Sequence, residues 1–392
     1  MSNQPARVLR CVSVVEGVES RRISWNSKIQ WTPTMSNAFF PILGTDNIPL
    51  IGRKTLLDRI WRDLTKATPD NRSIVGPKHI GKTVLLKALV DRARQPGSPY
   101  ALVVYWELGY APPQSDEEFI TQLCDLMYSA MAADTIEYKD HRAELENDKS
   151  FPTLKEVMDL LQLEQRSVLM IWDGFDKPLS QGLLSGQLFG NLRELFYGKK
   201  HRVVTATRAT QTELARNLQV EDSPFWNMFG VNPVGVGAFD ASDLDHALTC
   251  ASLSMSQGGK KELRNWSGGH PVLALSILNS LMSSGRSELT NDHVNSAAEA
   301  VASELSVYLE MLWNECSATT KSAFYSIVES DGIDQDHIGG KEAQFLLARG
   351  FAVRDGAKIR PSCRLFTQHA RQQFMYHEEG TDCPCFERKE GE

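Results

Sequence analysis

Ser73–Leu89 reads SIVGPKHIGKTVLLKAL, and this stretch decides the fold. It opens on a strand-forming triplet and closes on apolar residues at helical spacing. Between them Gly76, Pro77, Lys78, His79, Ile80, Gly81, Lys82 and Thr83 satisfy the pattern G-x-x-x-x-G-K-[ST]. Strand, glycine-bounded turn and helix in that order make a phosphate cradle. The glycines let backbone N–H groups curl inward, and the helix N-terminus adds positive partial charge. Lys82 reads as a solvent-facing point charge for the outer phosphates, Thr83 as a magnesium contact and Val84 as the first apolar residue of the helix. The expected ligands are therefore ATP or ADP with Mg²⁺.

Three further apolar runs have strand length: YALVVYWEL from Tyr100, SVLMIWDGF from Ser167 and HRVVTATR from His201. Helical stretches such as DEEFITQLCDLMYSAM from Asp116 and TLKEVMDLLQLE from Thr153 separate them. Strands alternating with helices imply a parallel sheet covered on both faces. Ligands gather at the carboxyl ends of such strands, which makes Asp173 a second magnesium anchor and puts Thr205, Thr207 and Arg208 near a terminal phosphate. Arg208 is the expected phosphate sensor. The charged segment 132–150 lacks a sustained apolar face and reads as a solvated excursion.

With 392 residues, 42% of them hydrophobic and 23% charged, the chain has room for two or three folded units and is far from a disordered composition. Its formal charge of −7 argues against wholesale coating by nucleic acid. No apolar run approaches the roughly 18 residues of a membrane span, and the N-terminus lacks a signal-peptide pattern, so a cytoplasmic protein without membrane contact is expected. The seven cysteines are scattered and odd in number, which is no disulfide framework, and Cys383 and Cys385 lack further ligands nearby to complete a metal site.

Strand signals stop near residue 240. Short helices follow, broken by SQGGK and SGGHP, and beyond them a helix ending at Gly350 leads into a strand FAV, an Asp355-Gly356 turn and a strand KIR. The expected class is α/β: a P-loop parallel sheet flanked by helices, then a helical lid and a C-terminal winged helix. The expected units are an arm (1–44), a nucleotide-binding domain (45–235), a lid (236–302), a winged-helix domain (303–376) and a tail (377–392).

The succession PLIGR, phosphate loop, LMIWDGFD, RVVTATR and SGGHP resembles the signal-transducing, STAND branch of the AAA+-like P-loop ATPases. Relatives of that branch include NACHT and apoptotic ATPases and, more distantly, origin-recognition ATPases. The resemblance implies that Gly269-His270-Pro271 is the GxP element of the lid that senses nucleotide, and that Ile51, Gly52 and Arg53 lie beside the adenine. Two departures bear on rate. Gly174 follows Asp173 where AAA+ enzymes place a catalytic glutamate, and Lys177 stands where NACHT-like members end the run D-G-x-D-E. Asp176 is left to orient water, so turnover is expected to be slow. STAND proteins commonly carry an effector and a repeat sensor in the same chain. With about 44 residues ahead of the ATPase and a short tail behind, sensor and effector are expected as separate proteins.

Two functions follow. One is a nucleotide-gated signalling ATPase that homo-oligomerises or changes protein partners on binding ATP, in a setting such as bacterial defence or stress. The other is a DNA-binding AAA+ regulator of the origin-recognition or transposition type, with its winged helix on duplex. Lys341–Gln372 favours the second by charge, carrying seven cations against Glu342 and Asp355. A trans-acting arginine, if one is needed, would come from Arg193 or Arg202.

Overall fold

Apolar periodicity sets each element of the α/β unit. The computed structural model describes residues 40–42, 48–131, 137–217, 223–229, 232–286 and 288–378. The first elements are α1 (Lys54–Thr65), β1 (Arg72–Val75), α2 (Lys82–Ala93), β2 (Tyr100–Glu107), α3 (Asp116–Met131), α4 (Lys139–Asn147) and α5 (Phe151–Leu163). They continue as β3 (Ser167–Asp173), α6 (Asp176–Ser180), α7 (Gly186–Phe196), β4 (Arg202–Thr207), α8 (Gln211–Asn217) and β5 (Val234–Gly235). The five strands form one parallel sheet in the order β2-β3-β4-β1-β5, so β4 lies between the phosphate-loop strand and the strand that carries Asp173.

Alternation along each strand sorts side chains onto two faces. Ile74, Leu169, Ile171, Val204 and Ala206 pack with Leu85, Leu86 and Leu89 of α2 and with Ile60 and Leu64 of α1. Val168, Met170, Trp172 and Val203 face the other way, against α3, α5 and α7. That second face is rich in aromatics. Trp172 is fully buried and meets Trp106, Phe119 and Phe196 edge-on, a geometry that adds to the burial of each ring. The strand ending in Asp173 is thereby held rigidly from both sides.

The segment read as a solvated excursion is instead partly helical. Residues 132–136 lie outside the described residues, but α4 buries His141 and Leu145, one turn apart, and packs against α3 and α5. Two anchors in nine residues are too few to register as a period.

The second half continues as α9 (Ala241–Cys250), β6 (Ser254–Met255), α10 (Gln257–Ser267), α11 (Pro271–Ser283), β7 (Glu288–Leu289) and α12 (Asn291–Glu304). SQGGK does not break a helix here: Ser256 caps α10, and both glycines fall in its first turn. Then come α13 (Ser306–Trp313), α14 (Ala318–Glu329), β8 (Ile333–Asp334), α15 (Gly340–Ala348), β9 (Ala352–Asp355), β10 (Lys358–Pro361) and α16 (Arg364–Glu378). The last three strands form an antiparallel sheet in the order β8-β10-β9. One continuous apolar core, including Leu263, Leu278, Val294, Leu309, Phe324 and Phe366, runs through α9–α16. Among the described residues, no helix is long and apolar enough to cross a membrane. Cys383, Cys385 and nearly all of the arm lie outside the described residues.

Candidate nucleotide site

The carboxyl edge of the sheet gathers the polar groups. Gly81 occupies the left-handed region at φ 94° and caps α2, which turns the loop over the end of the helix. The Lys82 ammonium donates to the carbonyls of Gly76 at 2.7 Å and Pro77 at 2.8 Å. It is enclosed by the loop, contrary to the solvent-facing position expected. Burial pushes its pKa down to about 8, the charges of Asp176 and Asp173 oppose that fall, and those of Arg208 and Arg349 add to it.

Asp173 ends β3 on the α2 face, in register with Glu107 at the end of β2. The Tyr105 hydroxyl donates to the Asp173 carboxylate at 3.1 Å, and burial together with that negative charge raises the Tyr105 pKa. Gly174 follows at φ 75°, and a Cβ there would lie 2.9 Å from both N and Cα of Gly109. The two loops that leave β2 and β3 approach backbone to backbone, so a glutamate side chain has no room at position 174. Asp176 opens α6, with a carboxylate oxygen 3.9 Å from Arg208 Nε.

Beside the phosphate loop lies a narrow, partly open apolar cleft with about 60 Å³ of free volume. Its walls include Ile51, Arg53, His79, Ile80, Gly81, Val84 and Pro271, with Pro41 and Ile42 closing one side. That apolar lining suits the face of a nucleobase. Arg53 is buried; its guanidinium donates to the Gly237 carbonyl at 2.9 Å, lies over the Phe239 ring, and has its pKa pushed down to about 10 by burial. Phe40 and Asn279 exchange two hydrogen bonds, from Phe40 N to Asn279 Oδ1 at 2.8 Å and from Asn279 Nδ2 to Phe40 O at 3.0 Å. This pair fastens the segment before the cavity to α11.

From above, α13 covers the phosphate loop. The His79 ring stacks on Tyr308 with centroids 5.6 Å apart, and His270 meets the same tyrosine edge-on at 6.0 Å. Pro271 opens α11, and His270 precedes it in an extended conformation. Burial and neighbouring cations push His79 down to about 4; burial, His79 and Arg53 push His270 down to about 3. Both imidazoles are neutral at physiological pH. Lys78 lies 3.5 Å from Met311 Sδ and 3.9 Å from Glu315, and Glu315 in turn approaches Arg208 at 3.8 Å and Arg349 at 3.6 Å.

Residues 68–372 match the AAA-like domain family. The chain belongs to that family. Its fold is similar to that of a Walker-type ATPase of Pyrococcus abyssi, with a TM-score of 0.55 and 12% identity over 82% of this chain and 96% of the other. It is also similar to the ORC2 protein of Aeropyrum pernix in ADPNP–ADP complexes, with a TM-score of 0.54 and 16% identity over 86% and 98% of the two chains. A STAND protein with a tetratricopeptide repeat sensor from Pyrococcus horikoshii aligns at a TM-score of 0.36 and 15% identity, over 86% of this chain and 44% of that one. No curated protein matched by sequence.

Several expectations fail in this AAA-like chain. Thr205 and Thr207 share the strand face of Val203 rather than that of α2, and the Thr207 hydroxyl donates to Ala209 O. Arg202 is buried at the opposite end of the sheet and donates to the carbonyls of Lys199 and His201, so it cannot serve a second molecule. Arg193 stacks on the Tyr197 ring at 3.8 Å. Part of the basic stripe is paired within the chain: Arg360 with Asp331 and Asp355, Arg364 with Glu262, and Arg371 with Glu329, while Arg349 faces Glu315 at 3.6 Å. Sequence reading also passed over Tyr105, Glu107, Tyr308 and Glu315. Glu107 alone had a local signal, as the carboxylate ending an apolar strand.

Proposed function

We propose that this protein binds ATP and ADP with Mg²⁺, hydrolyses ATP slowly, and uses the nucleotide it holds to control its association with itself or with partner proteins. The observation that carries this reading is the contact of α13 with the phosphate loop, through Tyr308 on His79 and Met311 on Lys78. A change at the loop is felt at once by the C-terminal half. The ADPNP and ADP complexes of the Aeropyrum neighbour support nucleotide as the ligand class.

In this reading Gly76–Thr83 wraps the phosphates, Lys82 leaves its two carbonyls to meet them, and Ile51, Arg53, Val84 and Pro271 receive the base. Thr83 and Asp173 offer hard oxygens that suit Mg²⁺, with Asp173 oriented by Tyr105. Bound there, the ion neutralises phosphate charge. Arg208 reads the terminal phosphate, and Asp176 orients the attacking water. Turnover is slow because Gly174 stands where a stronger base would act. The proposed units are residues 45–235, 236–302 and a winged helix at 303–376. The succession α14, β8, α15, β9–β10 hairpin and α16 supports that last assignment. Duplex DNA is the weaker partner, since Arg360, Arg364 and Arg371 of the stripe already have carboxylate partners within the chain.

Size-exclusion chromatography with light scattering, run in ADP and in a non-hydrolysable ATP analogue with and without duplex DNA, tests the reading. The expected result is a change in mass or in protease sensitivity near residues 232–240 between the two nucleotides, independent of DNA. Identical behaviour in both nucleotides would refute the switch, and a shift seen only with DNA would favour the regulator.

A further inference from the structure

Glu315 is surrounded by cations yet tightly paired to none. Its carboxylate lies 3.9 Å from Lys78, 3.8 Å from Arg208 and 3.6 Å from Arg349. Charge-assisted pairs normally close to about 2.7–2.9 Å, and this chain does so elsewhere, as Arg364 with Glu262 at 2.9 Å and Lys66 with Asp70 at 2.7 Å show. The Arg349 nitrogen nearest Glu315 is buried and has no hydrogen-bond partner. Its guanidinium is steadied from behind by the Phe345 ring at 5.3 Å.

The three cations come from three separate segments: the phosphate loop, the end of β4 and the end of α15. Such convergence, with spacing too wide for one carboxylate, is the arrangement a larger tetrahedral anion would close. Lys78 belongs to the phosphate loop and shares Glu315 with Arg349, which brings Arg349 beside that loop.

We infer that Arg349 is a ligand for the terminal phosphate of a nucleoside triphosphate, and that Glu315 is the internal carboxylate with which that phosphate competes. This rests on the nucleotide-binding reading above and adds the part that tells triphosphate from diphosphate. With ADP bound, Glu315 keeps its place among Lys78, Arg208 and Arg349. A γ-phosphate takes those cations and expels Glu315. Because Glu315 follows α13 directly, its displacement moves the helix that carries Tyr308 and Met311.

The test uses the full chain and compares Arg349→Ala, Arg349→Lys and Glu315→Gln by calorimetric titration with ADP and with a non-hydrolysable ATP analogue. Arg349→Ala should lower affinity for the ATP analogue about tenfold or more while leaving ADP within about twofold, and Arg349→Lys should recover part of the loss. Glu315→Gln should raise affinity for the ATP analogue about tenfold and give the ADP-bound protein the protease pattern of the ATP-bound form. Equal losses for both nucleotides in Arg349→Ala, or weaker ATP binding in Glu315→Gln, would overturn the inference. If the affinity ratios shift as stated while wild type shows no change in mass or digestion, the switch falls and this assignment stands. If wild type binds no nucleotide, both fall.

Discussion

Replacing Gly174 tests why this AAA-like chain carries a glycine rather than a glutamate after Asp173. Two costs can be separated. The left-handed backbone at φ 75° disfavours any side chain by about 1–2 kcal/mol. The Cβ would also press on N and Cα of Gly109 at 2.9 Å, and backbone cannot step aside as a side-chain tip can, which adds about 1–3 kcal/mol of overpacking. Gly174→Ala should therefore destabilise by about 2–5 kcal/mol, a large part of the 5–15 kcal/mol that holds a typical domain together. Gly182 is the control, since it has φ 66° and nothing within 4 Å of its would-be Cβ, so Gly182→Ala should show the backbone cost alone. Urea denaturation of the three proteins gives the difference directly. Gly174→Glu should lose stability in the same way and hydrolyse ATP no faster than wild type in a phosphate-release assay. If Gly174→Ala were no worse than Gly182→Ala, or Gly174→Glu were faster than wild type, the steric account of the slow site would be wrong.

Lys82→Ala should abolish most ATP affinity in calorimetry while leaving far-UV circular dichroism unchanged, because the ammonium binds two loop carbonyls and packs little core; undiminished affinity would remove the phosphate-loop assignment. Asp176→Asn should slow phosphate release by about tenfold or more with ATP binding retained, since the amide keeps the shape and loses the base; a wild-type rate would locate the base elsewhere, with Glu107 the next carboxylate to test. His201 gives a pH signature far from the site. It is fully buried, its Nδ1 accepts from Val168 N at 3.1 Å, its Nε2 contacts Met158 O at 2.8 Å, and burial pushes its pKa down to about 4. Its folded pKa lies below the ordinary value of about 6.5, so the unfolded chain takes up the proton first and stability falls as pH drops from about 6.5 towards about 4. His201→Asn should flatten the stability–pH slope in that window by about one proton, and an unchanged slope would contradict the neutral, doubly bonded imidazole.

Much of the α/β unit was legible because its strands are buried on both faces and therefore read as unbroken apolar runs. β5 and β8, at two residues each, leave no such trace. The phosphate loop declares itself because its chemistry is local: eight consecutive residues hold all the geometry. The faces of Thr205 and Thr207 were misjudged because alternation fixes parity but not which parity meets α2. The upper half of the site was hidden for a different reason. Lys78 and Met311 are 233 positions apart, and a tyrosine or glutamate in a helical segment carries no sign that it will be folded back onto a loop so distant. The positive charge of the C-terminal stripe was counted correctly, but its partners, such as Glu262 and Glu315, lie outside the counted window.

The Phe40–Asn279 clasp bears on time rather than on affinity. One amide side chain reads both the donor and the acceptor of a single backbone residue, and that residue leads directly into Pro41 and Ile42 on the wall of the base cavity. A base seated there would lie against that wall, and opening the clasp uncovers Phe40, which is buried in the apolar core of α9–α16. The breathing of that short strap would then contribute to the lifetime of any nucleotide bound beside it.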